Sequence, residues 1–275
     1  SVSAFCNAGF SLFSDSLRGF NDTPLVALTV SVLIVLGGLG FGVLYTALIF
    51  RGPVKNNLHV RLVLVMTVVL LVSGTAVFWL IECARGNWDA GTGISWLNAW
   101  FQSVTTRTAG FNTVDLQGLS HTTLMIMMVF MFIGAAPGST AGGIKVTTVG
   151  VLLLTIRAVL TGHESVDVAR RQISRQTVMN AAALLCLALF VVGAGAFGLM
   201  LTHDVSAGSL LFEAFSAFGT VGLSVGATSE LNAAGKLIII ALMFVGRTGP
   251  LTLLVIMRPR SKSKCRYPSA DVMVG

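Results

Sequence analysis

Five stretches of this chain, at roughly residues 24–50, 62–83, 121–157, 177–201 and 235–257, run apolar for about 20 residues or more. Charged residues make up only 11% of the chain, against about 25% in an ordinary soluble domain, so composition agrees with the runs. A helix satisfies every backbone donor and acceptor internally, which makes it the natural way for such a run to cross a bilayer. The expected fold is an all-α membrane protein with about five membrane-spanning helices.

Basic residues fall into three clusters between and after these runs: Arg51, Lys55 and Arg61; Arg157, Arg170, Arg171 and Arg175; and Arg258, Arg260, Lys262, Lys264 and Arg266. They are 12 of the 18 Lys and Arg residues, and the positive-inside tendency puts all three clusters, and the C-terminal segment, in the cytoplasm. The other side then holds Asp15, Asp22, Glu82, Asp89, Asp115, Asp204, Glu213 and Glu230, opposed by Arg18, Arg85, Arg107 and Lys236. This acidic excess reads either as a vestibule that concentrates cations or as solvated loop charge. The basic clusters are a topology signal and need no nucleic acid to explain them.

Three segments say nearly the same thing: Ser3-Ala-Phe-Cys-Asn-Ala-Gly9-Phe, Val104-Thr-Thr-Arg-Thr-Ala-Gly110-Phe and Ser216-Ala-Phe-Gly-Thr-Val-Gly222-Leu. Their glycines lie 101 and 112 residues apart, room for two spanning helices and a re-entrant segment. Glycine reaches backbone angles closed to other residues, so successive carbonyls can turn toward one axis and replace the water around a cation, K⁺ above all. In register, the ion-lining residues are Asn7, Ala8 and Gly9; Thr108, Ala109 and Gly110; and Thr220, Val221 and Gly222, with the threonine hydroxyls at the inner end and Phe10, Phe111 and Leu223 packed behind. The alternative is that the glycines merely permit close helix packing. About Ile94–Thr106 and Gly208–Phe218 are too short to span and read as pore helices whose C-terminal carbonyls face the filter.

The chain thus divides into 1–50, the filter and inner helix of an incomplete repeat; 51–61, a cytoplasmic loop; 62–157, a further repeat whose inner helix is broken at 135–145; 158–176, a cytoplasmic loop; 177–257, the last repeat; and 258–275, a cytoplasmic tail. A closed carbonyl ring needs four filter strands about a pseudo-fourfold pore, so the chain reads as the C-terminal piece of something longer that should not conduct alone. The loop 158–176 is either a dock for a cytosolic partner or a solvated connection with lipid-facing arginines.

Pro137, Gly138, Gly142 and Gly143 cannot continue a regular helix, and a loop at membrane depth must line water or be wrapped in protein. A packing kink is the plainer alternative. The spacing of Gly138 and Gly143 suggests a phosphate-binding loop, but Ile144 separates the glycine from Lys145 and no strand precedes it. Arg247 sits in an apolar helix, where it either faces the pore and locks a gate or is satisfied by backbone carbonyls between helices. Lys145 shares that role or snorkels to the cytoplasmic face. Gly193, Gly195 and Gly198 match a dinucleotide fingerprint literally, but inside an apolar span they are packing glycines. Cys6, Cys83, Cys186 and Cys265 have no metal-ligand spacing, and the four histidines are dispersed without a catalytic pattern. No enzyme site and no cofactor are expected.

The filter segments, the run Gly134-Ala-Ala-Pro-Gly-Ser-Thr-Ala-Gly-Gly-Ile-Lys145 and the run Phe244-Val-Gly-Arg247-Thr-Gly-Pro250 together resemble the KtrB/TrkH-type potassium translocating subunits of the superfamily of K⁺ transporters, with the tail Tyr267–Gly275 favouring the Ktr branch. The resemblance implies four pseudo-symmetric helix–pore helix–helix repeats and a homodimer in the bacterial inner membrane. It also implies regulation by a cytosolic nucleotide-binding ring of the KtrA/TrkA type. It makes Gly138, Ser139, Thr140, Ala141, Gly142, Gly143 and Lys145, with Arg247, a gate beneath the filter. Cys6 stands where the family commonly has asparagine, a departure a backbone filter tolerates. A single glycine per repeat implies weaker discrimination against Na⁺ than in tetrameric channels. The expected function is gated K⁺ uptake with Na⁺ as a candidate activator. The alternatives are a coupled cation symporter with a midplane site, which the parallel repeats disfavour, and a non-conducting scaffold.

Overall fold

The computed structural model describes residues 1–13, 15–20, 23–48, 57–85, 96–163, 165–168 and 171–249. The readings above that fall on Asp22, Arg51, Lys55, Asp89, Ile94, Arg170 and the segment 250–275 lie outside the described residues. Among the described residues, ten α-helices follow in chain order: α1 (Val2–Phe5), α2 (Pro24–Leu39), α3 (Phe41–Leu48), α4 (Leu58–Ala84), α5 (Trp96–Thr105), α6 (His121–Phe132), α7 (Val146–Leu160), α8 (Arg175–Thr202), α9 (Ala207–Gly219) and α10 (Ala233–Thr248).

Among the described residues, α4 and α8 are the helices long and apolar enough to cross a membrane unbroken. Each starts where a side chain takes up an orphan amide: Asn57 accepts from the His59 N–H and Ser174 from the Thr177 N–H. Two other expected spans are each split in two. The run 121–157 is interrupted between α6 and α7, as its glycines and proline require. The run 24–50, expected to be continuous, breaks at Gly40, whose φ of +81° ends α2. A Cβ there would lie 2.7 Å from the Pro137 carbonyl oxygen, so the backbone is pressed against the loop between α6 and α7. The last run is helical from Ala233 to Thr248 and ends at Gly249 with φ +82°, the same device at the matching place in another repeat. The connection 158–176, expected as a plain loop, carries a two-stranded antiparallel hairpin, β1 (Val166–Val168) and β2 (Arg171–Ile173), in which Asp167 pairs with Gln172.

The short helices α5 and α9 lie in cradles made by the longer ones. Gly74 of α4 removes the side chain that would overlap Ser103, and Ser103 Oγ donates to the Leu71 carbonyl at 2.9 Å. Phe101 and Val104 of α5 then pack with Leu71 and with Ile34 of α2, while Leu210 and Phe218 of α9 pack with Leu199 of α8 and Leu242 of α10. In lipid this close packing, rather than release of water, is what holds helices together.

Candidate functional site

The site grows out of how the short helices end. After α9, Thr220 turns left-handed (φ +53°); its N–H bonds the Ala217 carbonyl at 3.0 Å, and the Val221 N–H bonds the Ser216 carbonyl at 2.9 Å. These are the paired bonds of a Schellman cap, which normally ends in glycine. After α1 the same cap recurs, with Asn7 at φ +49°, its N–H on the Ala4 carbonyl (3.2 Å) and the Ala8 N–H on the Ser3 carbonyl (2.9 Å). After α5, Thr108 stands at φ +73°. Two residues further on, Gly9, Gly110 and Gly222 have φ of +71°, +79° and +87°. Asparagine tolerates a left-handed conformation, as at Asn7, but it costs an ordinary L-residue about 1–2 kcal/mol, so Thr108 and Thr220 hold it because the surrounding packing imposes it. Left-handed residues thus stand at n and n+2 in each of the three segments.

The three strands stand side by side. A Cβ on Gly9 would lie 2.8 Å from the Ala109 carbonyl oxygen and 3.2 Å from Gly110 Cα. One on Gly110 would overlap the Val221 carbonyl oxygen and lie 3.3 Å from Gly9 Cα. Gly222, at the end of the row, meets nothing within 4 Å. The loops beyond the strands are stitched in the same order. The Leu17 N–H bonds the Asn112 carbonyl (2.9 Å), Arg18 pairs with Asp115 (2.9 Å), and Gln117 Nε2 donates to the Val225 carbonyl (3.4 Å). Thr105 fixes the middle strand from behind: its Oγ1 donates to the Phe111 carbonyl (2.7 Å) and accepts the Phe111 N–H (2.8 Å).

Phe111 and Leu223 are buried behind their strands as expected, but Phe10 is 80% exposed and buttresses nothing among the described residues. The threonine hydroxyls do not act alike: Thr108 Oγ1 is buried without a partner among the described residues, while the Thr220 side chain meets the loop below.

Three residues counted with the charges of the outer side are buried. Arg107, assigned to the outer loops, is 5% exposed, with Nη2 at 3.5 Å from Thr67 Oγ1 of α4 behind the middle strand. Glu82 and Glu213, read as part of an acidic vestibule or as solvated loop charge, are 2% and 5% exposed. Glu82 accepts from Thr123 at the start of α6, and Glu213 accepts from Ser224 and Thr228, tying α9 to the loop that follows the last strand. They brace the strands instead of facing solvent.

Beneath the strands runs the loop 133–145. It is a hydrogen-bonded structure of its own, with the Gly134 N–H on the Ile144 carbonyl (2.8 Å) and the Ile144 N–H on the Phe132 carbonyl (3.1 Å). Its tip is held from both sides. Thr140 Oγ1 donates to the Gly37 carbonyl of α2 (3.2 Å), the Gly143 N–H donates to the Gly246 carbonyl of α10 (3.2 Å), and Arg247 Nη1 donates to the Thr140 carbonyl. Lys145 Nζ turns back onto the Ala141 carbonyl at 2.6 Å instead of reaching away from the loop. A Cβ on Gly142 would overlap the Thr220 side chain, so the loop touches the last strand directly. Gly138 is the exposed corner, and Ser139 Oγ accepts the Ala141 N–H at 3.3 Å. Two packing glycines escaped the sequence reading: Gly37 and Gly246 stand where any Cβ would overlap a carbonyl in the last turn of α1 or α9, those of Phe5 and Phe218. The signal was available in the aligned runs Gly37-Gly38-Leu39-Gly40 and Gly246-Arg247-Thr248-Gly249.

Residues 1–265 match the family model of TrkH, a cation transport protein. The chain is 41% identical over its whole length to the Ktr system potassium uptake protein B of Vibrio alginolyticus and 39% identical to that of Bacillus subtilis, spanning 61% and 62% of those proteins. It is 38% identical to the potassium/sodium uptake protein NtpJ of Enterococcus hirae, again covering 62% of it. The chain therefore spans about three fifths of the length of the curated relatives it matches. The crystal structure of the potassium transporter TrkH from Vibrio parahaemolyticus superposes with a TM-score of 0.76 at 21% identity, over 94% of this chain and 57% of that one, and shows the shared fold. Three recurrent strands, a broken inner helix beneath them and a family match over nearly the whole length agree: the chain belongs to the TrkH family of integral-membrane cation transport proteins, on its Ktr side.

Proposed function

We propose that this chain supplies three of the four walls of a K⁺ pathway. Backbone carbonyls of Asn7–Gly9, Thr108–Gly110 and Thr220–Gly222 replace the water of a dehydrated K⁺, a task that suits oxygen dipoles on a backbone held by the caps described above. The observation that carries this is the threefold recurrence of left-handed residues at n and n+2 on adjacent strands. The loop 133–145 closes the path from the cytoplasmic side, and Arg247 and Lys145 hold its carbonyls while adding a positive barrier to cations. Flow is down the electrochemical gradient when the loop withdraws. Na⁺ is a candidate activator or second permeant ion, in keeping with the name of the Enterococcus hirae relative. The strands face outward and the hairpin β1–β2 lies in the cytoplasm, by the positions of Arg61, Arg157, Arg171 and Arg175. A second copy of the protein and a cytosolic nucleotide-binding ring complete the assembly in the bacterial inner membrane.

The test is ion uptake by the complete protein in K⁺ and in Na⁺, with and without the cytosolic partner. Saturable, K⁺-preferring uptake that the partner controls is expected. Uptake driven obligatorily by a cotransported ion, or absence of any K⁺ preference, overturns the proposal.

A further inference from the structure

At the end of the molecule opposite the strands, a cavity of about 700 Å³ opens between α4, α7, α8 and β2. Its mouth is polar and basic, formed by Asn57, His59, Arg171, Ser174 and Thr177. Its floor is apolar, with Leu62, Val151, Ala181 and Leu184 one to three turns inside their helices. No aspartate or glutamate is among the residues that line it. The first turns of α4, α7 and α8 all border it, through His59, Thr148 and Thr177, so their amide dipoles add to the positive potential of Arg171. Gly150 lets α7 close onto Leu62 and Met66 of α4 beside the cavity floor.

We infer that this cavity binds an anionic phospholipid, with its phosphate at Arg171 and the hydroxyls of Ser174 and Thr177 and the start of an acyl chain on the apolar floor. A phosphate calls for a guanidinium and a hydroxyl donor with no carboxylate in the lining, and the mouth supplies them: the exposed Arg171, and the Ser174 and Thr177 hydroxyls, which bond each other at 2.8 Å and leave one O–H free to donate. A free phosphate has no use for the floor, and an acyl chain does. The position at the ends of two spanning helices, between hairpin and membrane, is where a headgroup of the cytoplasmic leaflet lies. The inference rests on the membrane orientation proposed above and not on the ion pathway.

The test measures lipid bound to the purified complete protein by native mass spectrometry, titrating phosphatidylglycerol and phosphatidylcholine. A preference of about tenfold or more for phosphatidylglycerol is expected, falling by about tenfold in Arg171→Gln. Arg175→Gln, which removes an exposed charge outside the cavity, leaves binding within about twofold of the parent. Ala181→Phe fills the floor while sparing the mouth, and also weakens binding. Equal binding of the two lipids, or parental binding in both Arg171→Gln and Ala181→Phe, overturns the site. Displacement of the lipid by millimolar inorganic phosphate overturns the lipid as its occupant. None of these readouts uses ion flux, so failure here is distinguishable from failure of the proposed transport activity.

Discussion

Gly110 is the residue on which the strand arrangement can be tested most sharply. It has φ +79°, it is the middle of the row, and any Cβ on it would overlap the Val221 carbonyl oxygen of the next strand. Gly110→Ser therefore carries two costs. The left-handed backbone costs a serine about 1–2 kcal/mol. The overlap adds to this, because the obstacle is backbone held by the Val221–Ser216 hydrogen bond and not a side chain that can swing away. Relief comes by pushing the Val221 carbonyl from its place, which removes or misaims one of the oxygens proposed to hold K⁺. A loss of even about 1.4 kcal/mol in the preference for K⁺ is a tenfold fall in selectivity, and the combined costs are at least that large. Rubidium uptake and Na⁺ uptake in K⁺-transport-deficient cells give the ratio directly. Gly162→Ser is the matched comparison: its φ is +71°, nothing lies within 4 Å, and it sits beyond α7, away from the strands. It should cost the same backbone energy and leave the ion preference alone. A Gly110→Ser protein that reaches the membrane at parental levels and keeps its K⁺/Na⁺ ratio within about twofold would refute the reasoning.

Arg247→Gln removes the charge-assisted bond to the Thr140 carbonyl while Lys145 keeps its own to Ala141; resting K⁺ leak should rise by up to about tenfold, read as uptake without the cytosolic partner. Gly246→Ala places a methyl onto the Phe218 carbonyl and should lower thermal stability and flux together, whereas Gly193→Ala, in open space on α8, should raise or leave stability unchanged. Glu213→Ala leaves the Ser224 and Thr228 hydroxyls without their acceptor, and proteolysis of the loop after Gly222 should quicken before global unfolding does. Phe101→Ala empties a fully buried position between α5, α2 and α4 and should cost about 3–5 kcal/mol in a thermal or denaturant assay.

Much of this arrangement was legible because periodic apolar runs and recurrent glycines are local signals. The short helices expected at about 94–106 and 208–218 are α5 and α9, since a run too short to span and followed by a left-handed turn has few other solutions. The break in the run 24–50 was not read, because Gly37-Gly38-Leu39-Gly40 looks like ordinary packing glycine until Gly40 is seen against the Pro137 carbonyl. Burial of Glu82, Arg107 and Glu213 was also out of reach. Their partners Thr123, Thr67 and Thr228 are neutral and lie 15 to 41 residues away, and counting charges on loops cannot detect a hydroxyl that neutralises the need for solvent. The hairpin β1–β2 rests on six residues whose alternation is too brief to stand out from a loop.

Gly40 divides what looked like one rod into two segments that both hold the loop, at different points along it. Above it, α2 is wedged against the Phe5 carbonyl at the base of the first strand; below it, α3 begins with the Phe41 N–H bonded to the Gly138 carbonyl at 3.2 Å. A displacement of α3 would therefore reach the corner of the loop first, and through Gly37 and Gly38 of α2, which also hold the loop, it would be shared with the base of the first strand. One residue without a side chain thus lets a single apolar run follow both faces of the loop, with the Gly38 carbonyl taking the Ala136 N–H on one side of the bend and the Phe41 N–H reaching the Gly138 carbonyl on the other.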